Sequence, residues 1–266
     1  MISMVVCVKQ VVDPEAPLSL FQVAEDGKSL VPPPGTPPVL STFDENALEA
    51  ALRIKDEVGA RVVVLSLGDR LAKPVLKKTL AAGADELILL DDTRFAELDG
   101  YGTAMALTAA IRKLSPVDLV LCGRQAADTD AGQVGFGIAQ MLGLPAITLA
   151  QKVRVDGATV RVERVLPGGH EVVEAAMPAL VTASNEIGEL RFPPVKAVIA
   201  AQKIQPTVWT ADDLGDDFAV ELVASRRTDL VKFFVPDRRV QCHMIEGETS
   251  EQIAEGIAAL LKSRVA

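Results

Sequence analysis

The run Gly123-Arg124-Gln125-Ala126-Ala127-Asp128-Thr129-Asp130-Ala131-Gly132-Gln133-Val134-Gly135 joins an apolar stretch to a helical pattern through small, polar and glycine residues. Backbone N–H groups of such a loop, together with those of the following helix N-terminus, make a ready anion site, and Arg124 adds a charge suited to a phosphate. Spacing alone leaves a second reading open: an ordinary helix capped by Asp128, Thr129 and Asp130. The glycines do not follow GxGxxG, and no Gly-Lys-Ser or Gly-Lys-Thr occurs, so neither the dinucleotide fingerprint nor the P-loop is present. Asp128 and Asp130 lack further carboxylates or histidines beside them and read as caps rather than metal ligands. Cys7, Cys122 and Cys242 form no CxxC pair, which suits a reducing compartment and provides no zinc or iron–sulfur site. His170 and His243 stand alone, so no Ser-His-Asp arrangement is legible and no catalytic residue is assigned.

Such a loop needs strands and helices to hold it. Met4–Val8, Arg61–Leu67, Glu86–Leu90 and Val117–Cys122 are short continuous apolar runs, the pattern of strands covered on both faces. Between them, Asp44–Val58 sets Ala47, Leu48, Ala51, Leu52 and Ile54 on one helical stripe, with Thr42 and Glu45 at capping-box spacing. Leu71–Ala82, with Pro74 in its first turn, Tyr101–Leu114 and Gly132–Leu142 continue the helices. The alternation predicts an α/β fold: a doubly wound, mostly parallel sheet with helices on both faces. Leu18–Pro38 reads as a hairpin turning near Asp26-Gly27 and then a proline-rich stretch. Val153–Val155, Thr159–Leu166 and Glu171–Ala175 read as an added antiparallel ribbon. From Ser184 to about Asp217 the chain reads as irregular around an apolar stretch at Val195–Ala201, and Thr249–Ser263 as an amphipathic helix. Residues 1–184 are therefore expected to form a nucleotide-binding domain. Residues 185–266 are expected to form an extended C-terminal arm that needs another surface and is no independent domain.

Length and composition bound the function. With 266 residues, 49% hydrophobic and 24% charged, the chain is globular in composition. The net charge of −9 and 4% aromatics argue against nucleic-acid binding. The start, MISMVVCVKQVVD, lacks a basic n-region and a small-residue cleavage site, and no apolar run approaches a membrane span, so a cytoplasmic protein without membrane insertion is expected. A nucleotide fold with an arm and no visible catalytic machinery favours a carrier or binding subunit over a stand-alone enzyme. A nucleotide-binding stress-type module that homodimerises is a further class, disfavoured by the long arm.

Several segments in order resemble the electron transfer flavoprotein beta subunit: Val8-Lys9-Gln10-Val11, Glu45–Lys55, Ala81-Ala82-Gly83-Ala84-Asp85, Gly123–Gly135, Pro178–Thr182 with Asn185-Glu186, and Trp209–Gly215. The Gly-x-Gln-Ala-x-Asp-x-Asp-x-x-Gln-x-Gly pattern is the specific part. The resemblance implies a heterodimer with an alpha subunit that mainly holds FAD, and an adenine nucleotide in this chain's own fold. Its contacts carry over to Cys7 and Lys9 at the end of the first strand and to Ser41, Thr42, Phe43 and Asp44 at the first helix. They continue to Leu67 at the second strand's end, and to Gly123, Arg124, Gln125, Ala126, Asp128, Asp130, Gly132, Gln133 and Val134 in the loop. An arm corresponding to Glu186–Lys196 implies Leu190 and Phe192 as an exposed apolar pair that anchors a partner dehydrogenase.

Two functions follow from the resemblance. In the first, AMP is a structural ligand, and the heterodimer passes electrons from flavin dehydrogenases of the acyl-CoA dehydrogenase type, as in fatty acid beta-oxidation, to a membrane quinone reductase. In the second, an electron-bifurcating flavoprotein, this chain binds a second FAD and the heterodimer oxidises NADH. Ordinary carriers read Asn-Gln-Thr-Gly where this chain has Gly132-Gln133-Val134-Gly135, and carry an aromatic residue where it has Pro14. Bifurcating members read Asp-Gly-Asp-Thr-Ala-Gln-Val-Gly-Pro across the same loop, and Lys-Gln-Val-Pro-Asp where this chain has Lys9-Gln10-Val11-Val12-Asp13. The sequence stands between the two groups, and the AMP reading is the first expectation.

Overall fold

A computed structural model describes residues 1–17, 20–215, 218–234 and 242–265. Leu18 and Asp217, which bound two of the expected segments, lie outside the described residues. The chain opens with β1 (Ser3–Cys7), a short β2 (Gln10–Val11), the hairpin β3 (Gln22–Val23) and β4 (Leu30–Val31), and β5 (Val39–Leu40), which pairs with β2. Next come α1 (Thr42–Val58), β6 (Arg61–Gly68), α2 (Lys73–Leu76), α3 (Lys78–Ala82), β7 (Glu86–Asp91), α4 (Gly100–Leu114), β8 (Leu119–Gly123) and α5 (Val134–Leu142). The ribbon strands β9 (Ala146–Asp156), β10 (Thr159–Leu166) and β11 (Gly169–Ala176) follow, then β12 (Ala179–Ala183), α6 (Val195–Lys203), β13 (Thr207–Trp209), α7 (Phe218–Ala224) and α8 (Ser250–Val265).

Nine strands form one sheet in the order β11-β10-β9-β12-β8-β1-β6-β7-β13, parallel from β12 to β13, with the antiparallel ribbon at one end. Alternate residues of each strand enter opposite cores, as strand geometry requires. On one side Met4, Val6, Val62, Val64 and Leu121 meet Leu48, Ala51 and Leu52 of α1 with Leu76 and Leu80 of α2 and α3. On the other, Val5, Val63, Leu65, Ile88 and Val120 meet Ala104, Leu107 and Ile111 of α4 and Ile138 of α5. The expected α/β architecture, with helices on both faces and an added ribbon, is the one observed.

Local details differ from expectation. Leu71–Ala82 is two short helices divided at Lys77, not one. The last parallel helix begins at Val134, because Gly132 takes a left-handed φ of 62°. The ribbon's first strand is longer than Val153–Val155. Leu180 and Val181 pair in parallel with Ala146 and Ile147, Leu149 bends the strand at φ 57°, and its outer half turns antiparallel to β10. The segment expected to be irregular after Ser184 contains α6, packed on α3, and β13, which adds an edge strand to β7. β12, which the sequence pattern did not single out as a strand, is fully buried between β9 and β8. No helix among the described residues is long and apolar enough to cross a membrane.

Candidate functional site

From β1 the chain winds through β6 and β7 in one direction and places β8 on the other side, so strand order reverses between β1 and β8. Ligands of open parallel sheets bind outside the carboxyl ends at such a point. The expected residues gather there. Cys7 and Cys122 are in register as partners on β1 and β8, Leu67 ends β6 next door, and the loop from Gly123 leaves β8 directly.

The first turn of α1 closes the crevice from one core face. Ser41 is its N-cap residue, and its side chain caps nothing in its own helix. Instead its Oγ accepts a hydrogen bond from the Ala127 N–H at 3.3 Å, tying α1 to the loop. The Thr42–Glu45 capping box read from spacing is not formed. Asp44 is buried, and its two oxygens accept from the backbone N–H of Lys9 (2.8 Å) and of Gly123 (3.0 Å), bridging the ends of β1 and β8. Burial pushes its carboxyl up to about 7 against these hydrogen bonds and the Lys9 charge. Gly123 is required by the close approach: a Cβ there would stand 2.5 Å from Asp44 Oδ1 and 2.7 Å from the Phe43 backbone carbon.

The loop is organised by its own side chains, not as a set of helix caps. Lys9 Nζ donates to both Asp128 oxygens at 2.7 and 2.9 Å across the crevice. Gln125 Nε2 donates to Asp130 Oδ1 at 2.6 Å, with Asp130 at φ 51°. Gln133, the residue before α5, makes no side-chain cap, and the capping reading of Asp128, Thr129 and Asp130 gives way to these cross-loop bonds. Gln125, Ala126, Gly132 and Val134 are half-buried, Thr42 and Gln133 exposed. Cys7 and Cys122 are buried within the core beneath the crevice, where the Cys122 thiol is pushed well up by its hydrogen bond with Cys7 and by burial. Both thiols pack against the core at the strand ends that floor the crevice.

The fit to a phosphate rests on Arg124. Its guanidinium lies over the Phe43 ring at 4.5 Å, and its buried Nε has no hydrogen-bond partner among the described residues. An unpartnered buried guanidinium nitrogen beside a loop of N–H groups suits a phosphate oxygen. Leu67 and Phe43, both half-buried, line the same ends with apolar surface. A cavity of about 610 Å³ beside Met105, Arg112, Met141 and Phe218 contains none of the assigned residues.

The second expected region is built on α1 as well. Leu190 is half-buried against the core, whereas Phe192 is 92% exposed, so the expected exposed pair is a single exposed ring beside a packed aliphatic side chain. Sequence reasoning missed the side chains that hold this loop. Asn46 Nδ2 donates to the Gly188 carbonyl, Arg53 Nη1 to the Ile187 carbonyl, and Arg191 to Glu49 and Asp56. The only signal was that Asn46 and Glu49 are polar beside the apolar stripe of α1.

A doubly wound, mostly parallel sheet with a glycine-bearing loop at its switch point makes this an α/β protein with a crevice at the carboxyl ends of its strands. Residues 35–214 match the electron transfer flavoprotein domain. The chain is 38% identical over 231 residues to the electron transfer flavoprotein subunit beta of Thermoanaerobacterium thermosaccharolyticum, covering 86% of this chain and 88% of that one. It is 38% identical over 232 residues to the caffeyl-CoA reductase-Etf complex subunit CarD of Acetobacterium woodii, with the same coverage. It is 35% identical over 267 residues to protein FixA of Azotobacter vinelandii, covering 97% and 93%. The chain belongs to the electron transfer flavoprotein beta-subunit family.

Proposed function

We propose that this chain is the beta subunit of an electron-bifurcating flavoprotein, holding a second FAD in the β1–β8 crevice of a heterodimer that oxidises NADH. The observation that carries the choice is its similarity to a caffeyl-CoA reductase complex subunit and to FixA, matched by the Gln133-Val134-Gly135 step of the loop. The relatives support this reading better than a carrier of beta-oxidation electrons with AMP as a structural ligand. FAD, when bound, supplies a group that takes electrons in pairs and passes them singly. The chain's own work is to bind and orient it. Arg124 and the loop N–H groups would hold its phosphates, with the Lys9 ammonium beside them, and Leu67 and Phe43 would cover its apolar part. Asp44 keeps the strand ends in place beneath.

Residues 185–266 serve as the recognition loop and the arm that wraps the alpha subunit. Support comes from α8, where Ile253, Ile257 and Leu261 are exposed at helical spacing, and from the exposed Phe192, Val195 and Ile199 beside the loop. Phe192 meets a CoA-linked flavin dehydrogenase with an apolar socket. α2, α3 and α6 carry the exposed Lys73, Lys78, Lys196 and Lys203 and no carboxylate, which favours an acidic rim on that partner. The test is to denature the purified heterodimer and quantify the released nucleotides. Two FAD and no AMP per heterodimer is the expected result. One FAD with one AMP would return the chain to the simple carriers.

A further inference from the structure

The loop that presents Phe192 is not left to find its own conformation. Asn46, Glu49, Arg53 and Asp56 stand at helical spacing on one face of α1. Between them they take the Gly188 and Ile187 carbonyls and the whole Arg191 side chain. Glu49, only 5% exposed, accepts from Arg53 Nε (2.9 Å), from the Arg191 backbone N–H (3.1 Å), and from Arg191 Nε (3.0 Å) and Nη2 (3.2 Å). Arg191 Nη1 reaches on to Asp56 at 2.7 Å. Burial works to raise the Glu49 carboxyl, and the bonds from Arg191 and Arg53 overcome it and hold it below its ordinary range. At Gly188 the chain turns with φ 101°, so the loop follows one path between Ile187 and Arg191. The residue after Arg191 is the exposed Phe192, and Val195 and Ile199 continue the apolar surface along α6.

We propose that Glu49 and Arg191 are positioning residues for partner recognition: the forked pair locks residues 187–191 onto α1 and so delivers the Phe192 ring preformed to an apolar socket on a flavoprotein dehydrogenase. The inference rests on the recognition reading of Phe192 above. A preformed knob lowers the ordering cost of docking, so its loss weakens encounter with the partner and leaves the later electron step unchanged. Only an arginine spans both carboxylates; a lysine reaches one.

The test uses the heterodimer passing electrons from NADH to a CoA-linked flavin dehydrogenase that holds its enoyl-CoA substrate, with a low-potential one-electron acceptor present, together with amide hydrogen exchange of residues 187–192. Arg191→Met is expected to speed that exchange at least tenfold and to raise the KM for the dehydrogenase about tenfold, with kcat and flavin content retained. Arg191→Lys is expected to fall between Arg191→Met and the parent on both readouts, and Glu49→Gln to follow Arg191→Met. Flavin content and melting temperature report whether each variant has folded. Unchanged exchange in Arg191→Met overturns the lock. Faster exchange with an unchanged KM, while Phe192→Ala raises KM, overturns the positioning role and leaves the recognition surface standing. An unchanged KM in Phe192→Ala overturns the recognition reading, and the positioning role falls with it.

Discussion

Asp44, a buried residue, commits both carboxyl oxygens to backbone N–H groups at the ends of β1 and β8. Its carboxyl is raised by burial from 3.8 to about 7. A carboxyl raised on folding contributes stability below its unfolded value and loses it as pH rises through the folded one. The wild-type heterodimer therefore loses a contribution of a few kcal/mol between about pH 4 and pH 7. Asp44→Asn cannot ionise and offers one acceptor to two donors, so it is less stable than the parent at pH 5 by about 1–3 kcal/mol. The gap narrows toward pH 8, which denaturant melts at the two pH values would read; a constant gap would mean that the carboxyl does not titrate in this window. Arg124 poses the opposite case, a guanidinium with a buried nitrogen left over. Arg124→Met should weaken nucleotide retention by tenfold or more, since charge-assisted bonds contribute about 1.5–3 kcal/mol each. Equal nucleotide content after gel filtration of parent and variant would remove the residue from the phosphate site.

Among the elements, α1 was the most legible, because a 3.6-residue stripe survives translation into structure and Leu48, Ala51, Leu52 and Ile54 are all buried. The loop after β8 was legible as an anion site, but the roles of its side chains were not. Lys9 meets Asp128 and Asp44 meets Gly123 across long stretches of chain, and nothing local announces either contact. β12 escaped because only Leu180 and Val181 of Ala-Leu-Val-Thr-Ala are large apolar residues, too few to stand out as a run. β13 escaped because three residues leave no period to detect. The central placement of β12 makes it sensitive. Leu180 has no exposed surface and packs with Val120 and Ile138. Leu180→Ala should cost about 2–5 kcal/mol by cavity formation, measured as a shift of the melting transition. A loss under 1 kcal/mol would show that the sheet collapses around the gap.

On the scale of the whole molecule, charge is unevenly distributed. A chain of net charge −9 exposes Lys73, Lys78, Lys196 and Lys203 on α2, α3 and α6, with α6 packed on α3. Association steered by such a patch is screened by salt, with a Debye length near 10 Å at 0.1 M. The bimolecular rate of electron exchange with the partner dehydrogenase should fall several-fold between about 0.05 and 0.5 M salt, with the limiting turnover unchanged. Combining Lys196→Glu with Lys203→Glu should flatten that dependence, and a rate indifferent to salt in the parent would exclude steering by this face.

The order of strands also sets a schedule for biosynthesis. β1 and β6 can pair as soon as they leave the ribosome, and β8 can join them, but the outer side of β8 then has no neighbour. Its partner β12 follows only after the whole ribbon has been made, and β7 waits longer still for β13. A nascent chain that has just completed the anion loop thus exposes two unpaired strand borders, each a template for a stray chain. Translation pauses between Gly123 and Ala183 would lengthen that exposure. Chaperone occupancy of the nascent chain should peak over this interval and fall once Trp209 has emerged, because both borders are then covered.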